Sequence, residues 1–260
     1  MADVVGKRFD LTGRLALVTG ASSGLGARFA RTLAEAGAAV ILAARRKERL
    51  EALAEELRGE GVKALAVSMD VTDAASIEAA RDAVEAEFGR PADIVVNNSG
   101  VSRGGWLVDM SEDDYDLVMD TNVKGVWMVT KYFAGAMMKA SIPGSIVNIA
   151  SITGRRPNKA TAIYATSKAA CEHLTRCMAE EMGRSKIRVN AIAPGYFNSE
   201  MTGDYLESPK GKEMMNRSVM RRPGEADELS GALLLLTSDA GSYMTGATIE
   251  VDGGHLIYAI

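Results

Sequence analysis

The sequence predicts an α/β fold: a single domain on a doubly wound, mostly parallel sheet with helices on both faces. Three observations predict it. Short aliphatic runs alternate along the chain with amphipathic stretches of helical period, the pattern of βαβ units. The aliphatic runs are continuous in hydrophobicity rather than alternating, as strands buried on both faces must be. A chain of 260 residues that is 47% hydrophobic and 25% charged suits one large core. No repeat, low-complexity tract or Pro/Ser linker divides it.

Taken in order, the strands are expected at 15–19 (LALVT), 40–44 (VILAA), 64–68 (ALAVS), 93–97 (DIVVN), 145–149 (SIVNI), 187–192 (IRVNAI) and 248–251 (TIEV). Helical period falls on 24–36, 47–58, 74–88, 113–138, 162–182 and 226–237. Asp73 and Ser111 stand where N-caps belong, the latter with Asp114 at the capping-box position. Segment 195–223 departs from the scheme, being rich in Gly, charge and Met (Met201, Met214, Met215, Met220). It reads either as a surface helix pair with Met as gap-filler or as a mobile lid. Its position after the sixth strand favours the lid, because binding loops gather at the carboxyl ends of parallel strands.

Composition excludes several function classes. With 30 basic and 34 acidic residues, a net charge of -4, the chain carries no basic field for nucleic acid or an anionic membrane. Small molecules are the expected ligands. No apolar run approaches a membrane span and the N-terminal MADVVGKRFDLTGR lacks a signal-peptide core, so a cytoplasmic protein is expected. Cys171 and Cys177, six apart in a helix, can form neither a disulfide nor a metal pair and read as core thiols. His173 and His255 provide no zinc spacing, so neither a metal site nor a Ser-His-Asp triad is expected.

The chemistry concentrates in four places. After the first strand comes Thr19-Gly20-Ala21-Ser22-Ser23-Gly24-Leu25-Gly26, opening directly into a helix. Gly20 permits the tight turn, Gly24 lets backbone approach a pyrophosphate and Gly26 allows close helix–sheet packing, while the helix N-terminus offers N–H groups to an anion. This is a dinucleotide fingerprint. At the end of the second strand, where an acid would select NAD, stand Arg45 and Arg46, which favour the extra phosphate of NADP. Arg45 carries that reading; Arg46 reads equally as a solvated helix-start residue. Asp70-Val71 and Asn97-Asn98-Ser99-Gly100 end the third and fourth strands, where ligand contacts are expected. Asp70 suits either an adenine amino group or a turn ahead of Asp73. Finally, Tyr164 and Lys168 lie one helical turn apart, shortly after Ser151 at a strand end. A phenol titrates near about 10, and a neighbouring ammonium favours its ionised form, which makes a usable general acid/base.

Together these pieces resemble the short-chain dehydrogenase/reductase family, in the single-domain branch that includes the 3-oxoacyl-carrier-protein reductases. The matching segments span essentially the whole chain: TGASSGLG at 19–26, NNSG at 97–100, Asn122 in TNVKGVW, Ser151 in NIASITG, YATSK at 164–168, NAIAPG at 190–195 and VDGG at 251–254. The resemblance implies a Rossmann-fold domain with seven strands in the order 3-2-1-4-5-6-7. It implies Tyr164 as proton donor, Lys168 as ligand of the nicotinamide ribose and electrostatic partner of the tyrosine, and Ser151 as holder of the substrate oxygen. Asn122 would break its helix and hold a water beside Lys168. NADP, or NAD in its place, would lie along Gly20, Ser22, Ser23, Gly24, Leu25 and Gly26. Asp70 and Val71 would meet the adenine, Asn98 and Gly100 the adenine-ribose side, and Pro194, Gly195, Phe197 and Ser199 the nicotinamide. A homotetramer, or a homodimer, would form through 120–138, 162–182 and the C-terminal end.

Departures refine the expectation. Ser99 replaces the family's usual Ala, and Ser199 replaces a Thr while keeping the hydroxyl. Ser141 and Glu180 stand where carrier-protein reductases place basic residues, which removes the steering an acidic carrier needs. The expected activity is therefore NADP(H)-dependent hydride transfer to a carbonyl, or from a secondary alcohol, of a free small molecule. The pocket walls at 101–106, 152–156 and 196–220, with Trp106, Tyr196 and Phe197, suggest a largely apolar substrate. Arg155 and Arg156 are either anion ligands or solvated charges. A 3-oxoacyl-carrier-protein reductase and a non-catalytic dinucleotide sensor are the alternatives.

Overall fold

The computed structural model describes residues 4–198, 202, 206–216 and 218–258. Seven strands form one sheet: β1 (Leu15–Thr19), β2 (Ala39–Ala44), β3 (Ala64–Ser68), β4 (Ile94–Asn97), β5 (Gly144–Ile149), β6 (Ile187–Pro194) and β7 (Thr248–Val251). All pairings are parallel and the order is β3-β2-β1-β4-β5-β6-β7. The direction of strand progression reverses between β1 and β4, which opens the crevice in which the site lies. Around the sheet run α1 (Val4–Phe9), α2 (Gly24–Glu35), α3 (Lys47–Gly59), α4 (Ala74–Phe88), α5 (Glu112–Met119), α6 (Gly125–Lys139), α7 (Ala162–Met182), α8 (Pro209–Met215) and α9 (Ser230–Thr237).

The period of two along β1 sends its side chains to two separate cores. Ala16 and Val18 join Phe29 and Leu33 of α2, Leu50 and Leu57 of α3, and Leu233 and Leu236 of α9. Leu15 and Leu17 join Ile77 of α4, Phe133 and Met137 of α6, and Met178 of α7. Each fully buried side chain of this size contributes about 1.5–3 kcal/mol, so the sheet is stabilised from both faces. Among the described residues no helix is long and apolar enough to cross a membrane.

Several expectations are corrected. The helical stretch expected over 113–138 is two helices joined by a π turn, Asp120–Lys124, the break that the resemblance places at Asn122, in which Gly125 N–H reaches Asp120 O. The break lets Gly125 pass close to Val71, where a Cβ would come within 2.9 Å of Cγ2. Residues 226–237 begin as a 3₁₀ turn, Ala226–Leu229, before α9. Ser111 caps α5 by accepting from Asp114 N–H, but the reciprocal half of a capping box is replaced: the Asp114 carboxylate accepts the Ser111 hydroxyl at 2.8 Å. Aspartate is one methylene shorter than the glutamate that reaches back to the cap N–H. Asp73 caps α4 as expected, accepting from Ala75 N–H. Of the two thiols, Cys171 is buried but Cys177 is exposed. Six helical residues rotate a side chain by about 240°, which carries Cys177 off the buried face.

The segment expected to be a lid leaves and returns at one point. Phe197 bridges Gly224, Asn198 N–H donates to Gly224 O at 3.0 Å and Gly224 N–H donates to Tyr196 O at 2.8 Å. Between these ends lies α8, capped by Ser208 with Pro209 at its start, its Met215 buried. Met201 lies outside the described residues.

Candidate active site

The glycine turn is built from close contacts that side chains would forbid. Gly20 and Gly24 have φ of +67° and +55°, the left-handed region that favours glycine. A Cβ on Gly26 would lie 2.3 Å from Gly20 O, so α2 is seated directly on the turn. Asn98 secures it from β4: its amide donates to Thr19 O at 2.9 Å, while Thr19 Oγ1 accepts from Asn98 and Ser99 N–H. The Asn98 side chain is thus engaged with the turn itself, a role the strand-end position did not reveal. Ser23 does not cap α2; its hydroxyl instead accepts from Arg46, as does that of Ser22. The helix start therefore keeps its N–H groups for a ligand, with a guanidinium beside it. An uncapped helix N-terminus, a turn too tight for Cβ atoms and two arginines form a donor set that fits the phosphates of a dinucleotide.

Arg46, exposed at the start of α3, therefore also lines the cleft. Arg45 lies close enough to Asp70 to act on it. Burial alone would raise the Asp70 carboxyl, but hydrogen bonds from the Thr72 N–H and hydroxyl, with the Arg45 charge, outweigh it and hold the group below its ordinary value. Those bonds realise the turn reading of Asp70, which nevertheless lines the cleft together with Val71.

The cleft has a volume of about 640 Å³, within the range of small-molecule and cofactor sites. Tyr164, Lys168 and Ser151 all line it, with Gly100, Pro194, Gly195 and Phe197. Lys168 is buried, its Nζ donating to Ile149 O at 2.8 Å and lying 5.7 Å from the centre of the Tyr164 ring. Ser151 ends β5's approach and is buried as the cap of the 3₁₀ turn Ile152–Gly154. Asn122 sits in the π turn. Its amide donates to Val101 O at 2.9 Å and to Ser167 Oγ at 3.0 Å, and its oxygen accepts from Val101 N–H. Ser167 in turn donates to Tyr164 O at 2.7 Å, so the helix break is tied to the first turn of α7. Gly100 passes through this group: a Cβ there would lie 3.3 Å from Asn122 Oδ1 and 3.4 Å from Lys168 Nζ.

Other expected residues are placed differently. Ser199 lies outside the described residues. Trp106 is 62% exposed, and Phe197 is buried against Gly224. Arg155 is bound between Glu172, at 2.9 Å, and Glu250. Arg156 donates to His255 O and Tyr258 O. Both arginines thus brace the protein, Arg155 while remaining exposed. Ser167 is not among the expected residues, and Thr153 is expected only as part of the pocket wall at 152–156. Their only signal was a hydroxyl three residues after Tyr164 and two after Ser151.

A family model described as "Enoyl-(Acyl carrier protein) reductase" matches residues 20–255. The 3-oxoacyl-[acyl-carrier-protein] reductase FabG of Pseudomonas aeruginosa is 37% identical over 245 residues, 94% of this chain and 98% of that protein. Oxidoreductase UcpA of Salmonella typhimurium is 42% identical over 252 residues, covering 94% and 95%. Among solved structures, a gluconate 5-dehydrogenase from Burkholderia cenocepacia in complex with NADP and tartrate superimposes with a TM-score of 0.94 at 37% identity, covering 98% of this chain and 100% of that one.

Proposed function

This chain belongs to the short-chain dehydrogenase/reductase family of oxidoreductases, and from that membership we propose that it interconverts a carbonyl and a secondary alcohol on a free small molecule, using NADP(H). The observation that carries the reading is the convergence of Tyr164, Lys168 and Ser151 on one cleft that also contains the glycine turn. When bound, the cofactor supplies or accepts the hydride. Arg45 and Arg46 would hold its 2′-phosphate, the α2 N-terminus its pyrophosphate, and Pro194 and Gly195 would flank the nicotinamide. In reduction Tyr164 gives its phenolic proton to the substrate oxygen, and in oxidation it takes it back. Ser151 donates a hydrogen bond to the same oxygen. Lys168, anchored on the Ile149 carbonyl, holds the nicotinamide ribose and sets a positive charge beside the phenol that compensates the charge its oxygen acquires. Asn122 holds the π turn open beside Lys168 for a relaying water. Segment 195–223 closes over the substrate as a lid.

A free substrate is favoured over a carrier-bound one because Ser141 and Glu180, both exposed, offer no positive charge to an acidic carrier. Copies are proposed to assemble as a homotetramer, supported by exposed Tyr115 on α5 and Trp127 on α6; light scattering on the purified protein tests this. The activity is tested by following reduced nicotinamide with aliphatic, cyclic and 3-oxoester ketones, with gluconate in the oxidative direction, and with a carrier-bound 3-oxoacyl substrate. Turnover with NADPH is expected to vanish in Tyr164→Phe while NADPH binding persists. Binding without Tyr164-dependent turnover on any of these compounds would overturn the reading in favour of a dinucleotide sensor. Much faster turnover of the carrier-bound substrate would replace the free one.

A further inference from the structure

We propose that Thr153 is a positioning residue for hydride transfer: it fixes Ser151 as a hydrogen-bond donor. The inference rests on the reading of Ser151 as the residue that holds the substrate oxygen. A hydroxyl has one hydrogen and two lone pairs. Both lone pairs of Ser151 Oγ are engaged by the same neighbour, the Thr153 N–H at 3.2 Å and the Thr153 hydroxyl at 2.9 Å. Ser151 and Thr153 are 8% and 7% exposed, so water does not compete for either bond. The capacity left to Ser151 is its own hydrogen, in the cleft that Tyr164 shares. A serine so fixed donates to a carbonyl oxygen and does not accept the phenolic proton of Tyr164. Without the Thr153 hydroxyl one lone pair is released, and Ser151 and Tyr164 are free to pair with each other, which withholds the phenolic proton from the substrate.

The hydroxyl is separable from the fold of the turn. Gly154 N–H donates to Ser151 O, and Arg155 and Arg156 N–H both donate to Ile152 O. The turn is also pressed on α7, where a Cβ on Gly154 would come within 2.7 Å of Ala169 N. Thr153→Val keeps the backbone bond to Ser151 and removes the side-chain one.

The test is steady-state reduction by NADPH of whichever aliphatic, cyclic or 3-oxoester ketone is turned over fastest, in Thr153→Val, Thr153→Ser, Ser151→Ala and the Ser151→Ala/Thr153→Val double variant. Thr153→Val is expected to lower kcat about tenfold, with KM for NADPH unchanged. Thr153→Ser is expected to recover most of the loss. In the Ser151→Ala background, Thr153→Val is expected to have no further effect, a coupling that a merely structural role would not produce. Wild-type kcat in Thr153→Val, or the same tenfold loss added on top of Ser151→Ala, overturns the assignment. Wild-type turnover in both Tyr164→Phe and Ser151→Ala instead overturns the functional reading beneath it, so the two failures are told apart.

Discussion

At the mouth of the glycine turn stand two guanidiniums, Arg45 and Arg46, and in the proposed site their charge sets the choice of nucleotide. Arg46 is held by Ser22 and Ser23, while Arg45 faces Asp70. Charge-assisted hydrogen bonds to a phosphate contribute about 1.5–3 kcal/mol each. Arg45→Asp should therefore weaken NADPH binding by roughly 10- to 100-fold and improve NADH binding, read by fluorescence titration. Unchanged NADPH affinity would remove Arg45 from the phosphate site. Gly26 makes a steric demand of the same locality. A Cβ 2.3 Å from Gly20 O cannot be accommodated without moving the turn, so Gly26→Ala should lower both NADPH affinity and thermal stability. An alanine variant with native affinity would show that the turn yields.

Elements meet where the C-terminal tail closes back on the body. Asp252 accepts from Gly254 and Leu256 N–H, Met220 N–H donates to Gly253 O, and Arg156 donates to the His255 and Tyr258 carbonyls. The His255 ring lies 5.2 Å from that of Tyr196. Burial and the nearby Arg156 charge push the His255 imidazole below its ordinary value of 6.5, against the opposing pull of Asp252. The sign follows from linkage. Above about pH 6.5 the imidazole is neutral in both folded and unfolded chains. As pH falls the unfolded chain takes the proton first, so the contribution of this group is lost progressively down through its lower folded value. The melting temperature should decline on acidification from pH near 7.5 toward 5.5, and His255→Gln should flatten that decline. His173, the other histidine, is exposed on α7. An unchanged profile in His255→Gln would place the acid sensitivity elsewhere.

On the scale of the whole molecule, a buried polar chain pins two helices to the sheet. Asn97 of β4 donates to Thr130 of α6 at 3.0 Å and to Asn148 of β5 at 2.8 Å; Asn148 donates to Thr175 of α7, which donates to Cys171 O. Buried groups left without partners cost about 1–3 kcal/mol each. Asn148→Ala leaves one Asn97 amide hydrogen and one Thr175 hydroxyl lone pair without a partner, so it should lose about 2–4 kcal/mol in urea unfolding; a loss under about 0.5 kcal/mol would show that the chain adds nothing. Except for the bond within α7 from Thr175 to Cys171, these pairings join residues far apart in the chain, and that separates what could be read from the sequence from what could not. The strands at 15–19, 64–68 and 248–251, the helices at 74–88 and 162–182, and the glycine turn were legible because hydrophobic period and turn chemistry act over a few residues. Tyr164 and Lys168 were legible for the same reason, as one helical turn brings them together. The strand order followed from family resemblance rather than from any residue. Arg155 bound by two glutamates and Asn98 spent on the glycine turn were not legible. Each depends on which distant group a side chain or carbonyl meets. By itself the sequence determined most of the elements, the glycine turn and the candidate hydroxyls of the cleft. Only the tertiary structure decided which polar groups are already satisfied and which remain for a ligand, because hydrogen-bond capacity is filled by neighbours that folding brings from far along the chain.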